Sequence, residues 1–363
     1  MDLVLKRQSL VEQVTDVVRE QILRGAWPDW VPSEREFSRM LHVSRNTCRT
    51  AMQALQHEKL IEPHLGRGTR VNLSGVKQVR NAGMHTRSVG AIIPRFVTGL
   101  RPSASLVLDD LREQLFDLNV RLFLHQRPSF KQANCGPALQ ILVDKYHHDC
   151  WILLNSPQQM QTWFCEQGLA CMISGSAYAG VGLPSVDFDF RAICRHAVGR
   201  LAAAGHRRIA FLNRQLKAAG DIESEIGFQD GLRAVGNAAV DGRIFYHDDD
   251  RESVSRIIAR LFSSGYSPSA ILVAHTYCYL AVVTALAKRG LRVPQDVSLI
   301  SREDDPFLRY LEPEPARYLN ETAAMTNKIM QMLRGLLQGE PPKSEVIRIL
   351  PRFVTGHSLR VLR

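Results

Sequence analysis

Several things are missing from this sequence, and each absence removes a class of function. No run of roughly 18 or more apolar residues occurs, so a membrane-spanning helix is not expected. Met1-Asp2-Leu3-Val4-Leu5-Lys6-Arg7 lacks the apolar core and cleavage site of a secretory signal, and a cytoplasmic location is expected. The seven cysteines are odd in number and form neither a CxxC pair nor a Cys/His ladder. They read as reduced thiols, not as a disulfide framework or a metal centre. GxSxG, P-loop, HExxH and GxGxxG signatures are all absent, so catalysis and a bound cofactor are not expected. The acidic run Asp248-Asp249-Asp250 precedes a helix and suits stabilisation of its N-terminus better than a metal site.

What is present is ordinary globular composition, 45% hydrophobic and 23% charged, in a chain of 363 residues that is long enough for two or three domains. The net charge is +10 and unevenly spread. Residues 1–87 hold 14 Lys and Arg against 9 Asp and Glu, 14 − 9 = +5, leaving +5 for the other 276. The first quarter is therefore the more basic per residue, which favours an anionic partner there.

Within that quarter Leu10, Val14, Val17, Val18 and Ile22 recur at three- and four-residue steps, predicting an amphipathic helix with Ser9 as its cap and Gly25 at its end. Ser33 caps a second, shorter helix with Phe37, Met40 and Leu41 on its apolar side. Val43-Ser44 turns into a third helix. Its Cys48, Ala51, Met52 and Leu55 form the buried stripe, and Arg45, Asn46, Arg49, Thr50 and Gln53 lie opposite. Strand-like segments on either side of Gly66-Arg67-Gly68 predict a hairpin. A helix with short polar and guanidinium side chains on its free face fits the DNA major groove, and an arginine between glycines suits the minor groove or phosphate.

Residues 9–71, with VPSEREFSRMLHVSRNTCRTAMQALQHEKLIE and GRGTRV, resemble the GntR family of bacterial regulators. The resemblance implies a winged helix-turn-helix that binds a double-stranded operator. Arg35, Ser44, Arg45, Asn46, Thr47 and Arg49 are then the implied contacts, with Gly66, Arg67 and Gly68 at the wing tip. Cys48 stands where the family usually has valine, and a small hydrophobe keeps the packing.

Residues 73–87 are polar and aperiodic and read as a linker, placing a DNA-binding domain at 1–72 and a second domain at 88–363. Beyond Ser88, apolar runs at 89–94, 120–125, 151–154, 170–173, 185–188, 208–212, 270–273 and 297–300 alternate with helical stretches. That alternation predicts α/β architecture with parallel sheets flanked by helices, in two lobes with a cleft between them.

Ala204-Gly205-His206-Arg207-Arg208-Ile209-Ala210-Phe211, Gly227-Phe228-Gln229-Asp230-Gly231-Leu232 and Arg289–Ile300 resemble the effector domain of the LacI/GalR regulators, itself similar to periplasmic binding proteins. A GntR-type head on such a body resembles the arabinose-repressor architecture. The resemblance implies a homodimeric, DNA-binding regulator, a repressor by family habit, controlled by a small sugar-like effector.

The pocket departs from the family pattern. Ser224 stands where relatives carry a ligand-gripping arginine, His275-Thr276 where they carry Asn-Asp, and Ser301-Arg302-Glu303-Asp304 where they carry glycine, an aromatic and two acids. Asp189, Ser224, His275, Arg302, Glu303 and Asp304 are the candidate polar contacts, and Tyr277 or Phe96 the aromatic face. Two alternatives stand beside this reading. One is a DNA-binding regulator whose effector domain is degenerate and senses nothing; the other is a cytosolic solute-binding protein.

Overall fold

The computed structural model describes residues 10–64, 67–76, 87–93, 102–215, 217–236, 240–263, 265–341 and 344–362. Contacts divide the chain into two units, 1–86 and 87–363. Phe96, Gly66 and the Ser9 cap lie outside the described residues.

In the first unit, helix α1 (Leu10–Arg24) buries Val14, Val18 and Ile22 and stops at Gly25, whose φ of +80° is open to glycine at little cost. Strand β1 (Trp30–Val31) follows. Helix α2 (Glu34–Met40) starts with a full capping box. Ser33 Oγ accepts from Glu36 N, and the Glu36 carboxylate accepts from Ser33 N at 2.8 Å. Helix α3 (Arg45–His57) buries Cys48, Ala51, Met52 and Leu55 against α1 and α2. Strands β2 (Ile61–His64) and β3 (Gly68–Val71) form the expected antiparallel hairpin. Unforeseen, β1 pairs antiparallel with β3 to make a third strand, too short to show as a pattern in sequence.

A helical turn at 73–76 buries Val76 in the same core, so residues assigned to the linker pack as part of the first unit. Asn72 starts that turn, its Oδ1 accepting from Gly75 N at 2.9 Å. The turn lies so close to the end of α3 that a Cβ at Gly75 would stand 1.8 Å from the Lys59 carbonyl oxygen.

The second unit has two lobes. In the first, the elements run β4 (Ser88–Ile93), α4 (Pro102–Asp117), β5 (Arg121–Gln126), α5 (Gly136–Tyr146), β6 (Cys150–Leu154), α6 (Gln158–Glu166), β7 (Cys171–Ser174) and β8 (Ser185–Phe188). The second lobe contains α7 (Phe190–Ala203), β9 (Arg208–Arg214), α8 (Ala219–Val235), β10 (Asp241–His247), α9 (Arg251–Ser263), β11 (Ala270–Val273), α10 (Thr276–Ala287), β12 (Ser298–Ser301) and β13 (Ala316–Leu319). The chain then returns to the first lobe with α11 (Thr322–Leu337) and β14 (Val346–Ile349), and ends in the second with β15 (Arg352–Val354).

The two sheets have the orders β14-β8-β7-β6-β4-β5 and β10-β9-β11-β12-β13-β15. All pairings are parallel except β13 with β15. Parallel strands need covering on both faces, and α4 with α11 covers one face of the first sheet, their Leu111, Leu115, Ile329 and Leu333 packing on Ala91 and Ile152. On the second sheet α7 and α8 cover one face, while α9 and α10 cover the other. The chain therefore crosses between lobes three times, near 189, 320 and 350. No helix among the described residues is long and apolar enough to cross a membrane.

Candidate nucleic-acid interface and interlobe cleft

The polar face of α3 stands free of its own unit. Arg45, Asn46, Arg49, Thr50 and Gln53 are exposed, Thr47 is half-buried, and the stripe opposite is sealed in the core. Ser44 fixes the start of the helix by accepting from Thr47 N at 3.1 Å, with its hydroxyl 2.8 Å from Thr47 Oγ1. Arg49 is held only loosely, 3.3 Å from Glu34, and both side chains reach solvent. Arg35 is exposed on α2. At the hairpin, Arg67 is exposed and its N–H donates to the His64 carbonyl at 3.1 Å, while Gly68 takes φ +102°. The unit thus exposes the polar and guanidinium side chains of α3 and, on its hairpin, Arg67.

The lobes enclose a cavity of about 170 Å³ lined from both sides. Ser103, Asn155, Ser176 and Asp187 border it from the first lobe, and Phe190, Arg214, Asp221, Arg302 and Glu303 from the second, with Asn320 on a crossing segment. Its chemistry centres on Arg302, which is 1% exposed. Arg302 Nη1 donates to Ser224 Oγ at 2.7 Å and Asp221 Oδ1 at 3.1 Å, and Nη2 donates to Glu303 Oε1 at 2.7 Å. The guanidinium lies over the Phe190 ring, 4.3 Å from its centre. The buried Arg302 Nε–H and the buried Asn320 Oδ1 have no hydrogen-bond partner among the described residues.

Asp221 is shared. Arg214 Nη2 donates to it at 2.7 Å, and His275 Nε2 lies 3.0 Å away. Burial alone would raise its pKa, but His275, Arg302 and Arg214 together hold it well below the usual carboxylate range. Burial pushes His275 down to about 4, so it is neutral; its Nδ1, 3.5 Å from Arg302 Nη2, then accepts, and its Nε2–H faces Asp221. Asp187 accepts from Ser176 Oγ at 2.6 Å and Phe188 N at 2.8 Å, yet burial still pushes it up to about 6.

The candidate residues thus separate. Arg302 and Glu303 border the cavity, and Ser224 and His275 lie behind it, holding Arg302 in place. Ser224 leaves the room that Arg302 occupies, so a guanidinium reaches the cleft from β12, not from α8. The other three are corrected. Asp189 caps α7, accepting from Ala192 N at 2.9 Å. Asp304 is taken by Arg317 Nε at 2.8 Å. Tyr277 is exposed and stacks on Phe307 at 5.6 Å, away from the cavity lining.

Sequence reasoning missed Asn155, Ser176, Asp187, Arg214, Asp221 and Asn320. Asn155, Ser176 and Arg214 stand at or just past the carboxyl ends of parallel strands, where ligands of such sheets collect, and that placement was the available signal.

Comparison with known proteins follows this division. Residues 10–71 match the bacterial regulatory proteins of the gntR family, and residues 198–359 match the periplasmic binding protein-like domain. The chain thus joins a region that matches the gntR family to a region that matches the periplasmic binding protein-like domain. The transcriptional regulator CelR of Thermobifida fusca is 26% identical over 165 residues, 46% of this chain and 48% of that protein. AscG of Escherichia coli is 28% identical over 163 residues, 44% of this chain and 48% of its own length, so the chain spans about half the length of these two relatives. The repressor PurR of Klebsiella pneumoniae is 24% identical over 279 residues, 76% of this chain and 80% of that protein. A LacI family regulator from Enterococcus faecium with bound ribose superposes with a TM-score of 0.63 at 17% identity, covering 76% of this chain and all of that one. CcpA of Lactococcus lactis gives 0.66 at 18% with the same coverage. At such identities the likeness speaks for the fold.

Proposed function

We propose that the chain is a sequence-specific DNA-binding transcription regulator whose two-lobed body takes a small, hydroxyl-rich effector. The observation that carries the DNA half is the free polar face of α3, with Arg45, Asn46 and Arg49 presented by a capped helix beside a basic hairpin. Such a helix seats in the major groove, and Arg67 meets phosphate or the minor groove. On this reading the chain is not an enzyme, acts in the cytoplasm, and works as a homodimer whose symmetry is mirrored in its operator. Repression is the sense printed for its relative PurR, and it is the sense we infer here.

The cleft supports a ligand with hydroxyl-type groups, each able to accept and to donate. Arg302 Nε–H offers one donor, and Asn320 Oδ1 and Asp187 offer acceptors, beside the apolar Phe188 and Met325. The guanidinium Nη groups of Arg302 are already spent on protein partners, which disfavours an ordinary anionic ligand. Closure of the lobes on such a ligand would shift operator affinity by a coupling of about 1–3 kcal/mol.

The test is selection of an operator from random duplexes, followed by titration of wild type, Arg45→Ala and Arg49→Ala. Each variant should lose about 1–3 kcal/mol of specific affinity and keep its melting temperature, since both side chains are exposed. Wild-type binding with no preference among sequences would defeat the reading.

A further inference from the structure

A second concavity shares no lining residue with the cleft cavity. It is a groove of about 640 Å³ between α7 and α8. Its floor is made of Ala192, Gly199, Gly231 and Ala234, residues too small to fill it. Two of these are glycines for different reasons. A Cβ at Gly231 would stand 2.7 Å from Val198 Cβ, so helix packing requires it. Gly199 has open space above it, so packing does not, and its missing side chain deepens the groove.

The rim is arginine. Arg191, Arg195 and Arg200 come from α7, and Arg348 comes from β14 of the other lobe. Against these four stand two acids, Asp189 and Asp230, for a lining charge of 4 − 2 = +2. The acids are committed elsewhere. Asp189 caps α7, and Asp230 pairs with Arg191 at 2.7 Å and also with Arg233. Arg195 is exposed and makes no ion pair among the described residues, and Arg200 lies 5.3 Å over the Phe353 ring, its charge unneutralised. Arg348 reaches across the lobes to Glu223 at 3.4 Å.

Arg195 and Arg200, lining one groove without a carboxylate partner among the described residues, match the oxygens of phosphate, which guanidinium forks hold two at a time. The volume exceeds that of a lone ion and lies in the range of a metabolite site. We propose that this groove binds a small phosphate-bearing molecule, at a site distinct from the cleft. Because its rim is drawn from both lobes, an occupant there ties β14 to α7 and biases the lobe arrangement independently of any cleft ligand.

The experiment is calorimetric titration of the full chain with inorganic pyrophosphate at constant ionic strength, for wild type, Arg195→Ala, Arg200→Ala and Arg195→Lys. The expected result is one saturable site, weakened at least tenfold by either alanine substitution and less by lysine, with unliganded melting temperatures unchanged. No saturable heat with the wild type would overturn the proposal. So would undiminished binding by the Arg195→Ala/Arg200→Ala double variant, which would place the anion elsewhere. Displacement of pyrophosphate by a short DNA duplex in the Arg45→Ala/Arg49→Ala background would assign the groove to nucleic acid, and would overturn it too.

Discussion

Arg302 illustrates how a buried charge is tolerated. It sits among Asp221, Glu303, Ser224 and the Phe190 face, so its Nη groups are paired and two carboxylates depend on it. Arg302→Met fills similar volume but takes the Nη2 donor from buried Glu303 and leaves Asp221 with only Arg214 and His275, and should cost about 3–5 kcal/mol in urea unfolding. Asp187 makes a separate prediction. Its pKa rises from 3.8 to about 6 on folding, so the native state holds a proton that the unfolded chain has released. Stability from this group is present at low pH and falls as pH rises between about 4 and 6, by about 1.4 kcal/mol per unit at most. His275, pushed down to about 4, acts oppositely, withdrawing stability as pH falls from 6.5. Unfolding free energies of Asp187→Asn and wild type, measured from pH 4 to 7, should therefore diverge in favour of the variant as pH rises. A constant offset would show that Asp187 does not titrate in that window.

At the scale of elements, α7 and α8 approach so closely that a Cβ at Gly227 would lie 2.1 Å from the Arg191 carbonyl oxygen. Its neighbour Phe228 is wholly buried and stacks on Phe211 at 5.2 Å. The Gly-Phe pair is thus a packing motif of the second lobe. Gly227→Val should destabilise by about 1–3 kcal/mol or more, read as a lowered melting temperature, because the obstacle is backbone and cannot swing aside. The strands legible in the sequence were those with continuous apolar runs, such as Trp151–Leu154 and Ala270–Val273, fully buried in their sheets. β10 was not legible because it is an edge strand with alternating exposure, and its Arg243 and Tyr246 break the apolar run. β13 was hidden by Arg317, a charge buried on account of Asp304, a pairing that spacing alone cannot reveal. The candidate site was legible where its residues follow a local motif, as at Ser44–Arg49. It was not where Ser176, Asp187, Arg214 and Asn320 converge from distant parts of the chain.

For the whole molecule, the cleft and the DNA face belong to separate units, so ligand stability and DNA affinity are independently measurable. A hydroxyl-rich ligand at 100 times its dissociation constant should add about 2.7 kcal/mol to the body's stability, a visible shift in thermal unfolding. Arg45→Ala should leave that shift intact. Neutral polyols and sugars are expected to produce it ahead of their phosphorylated forms. In the Arg195→Ala/Arg200→Ala background, where the groove between α7 and α8 cannot contribute, the reverse order would mean that the Arg302 pairs open to admit an anion.

The three crossings between lobes also set an order of events at the ribosome. α11 and β14, which cover and extend the first lobe's sheet, are made only after nearly all of the second lobe. Some 140 residues separate Phe188 from Ile329, roughly seven to thirty seconds of synthesis, during which the apolar side formed by Ala91, Ile152 and Met172 waits for Ile329 and Leu333. The first half of the body to be translated thus stays unfinished until nearly all of the second half has been made. A nascent chain stalled before residue 322 would present that unfinished sheet to chaperones and proteases, so a premature stop late in the message would remove the protein instead of leaving a shortened regulator.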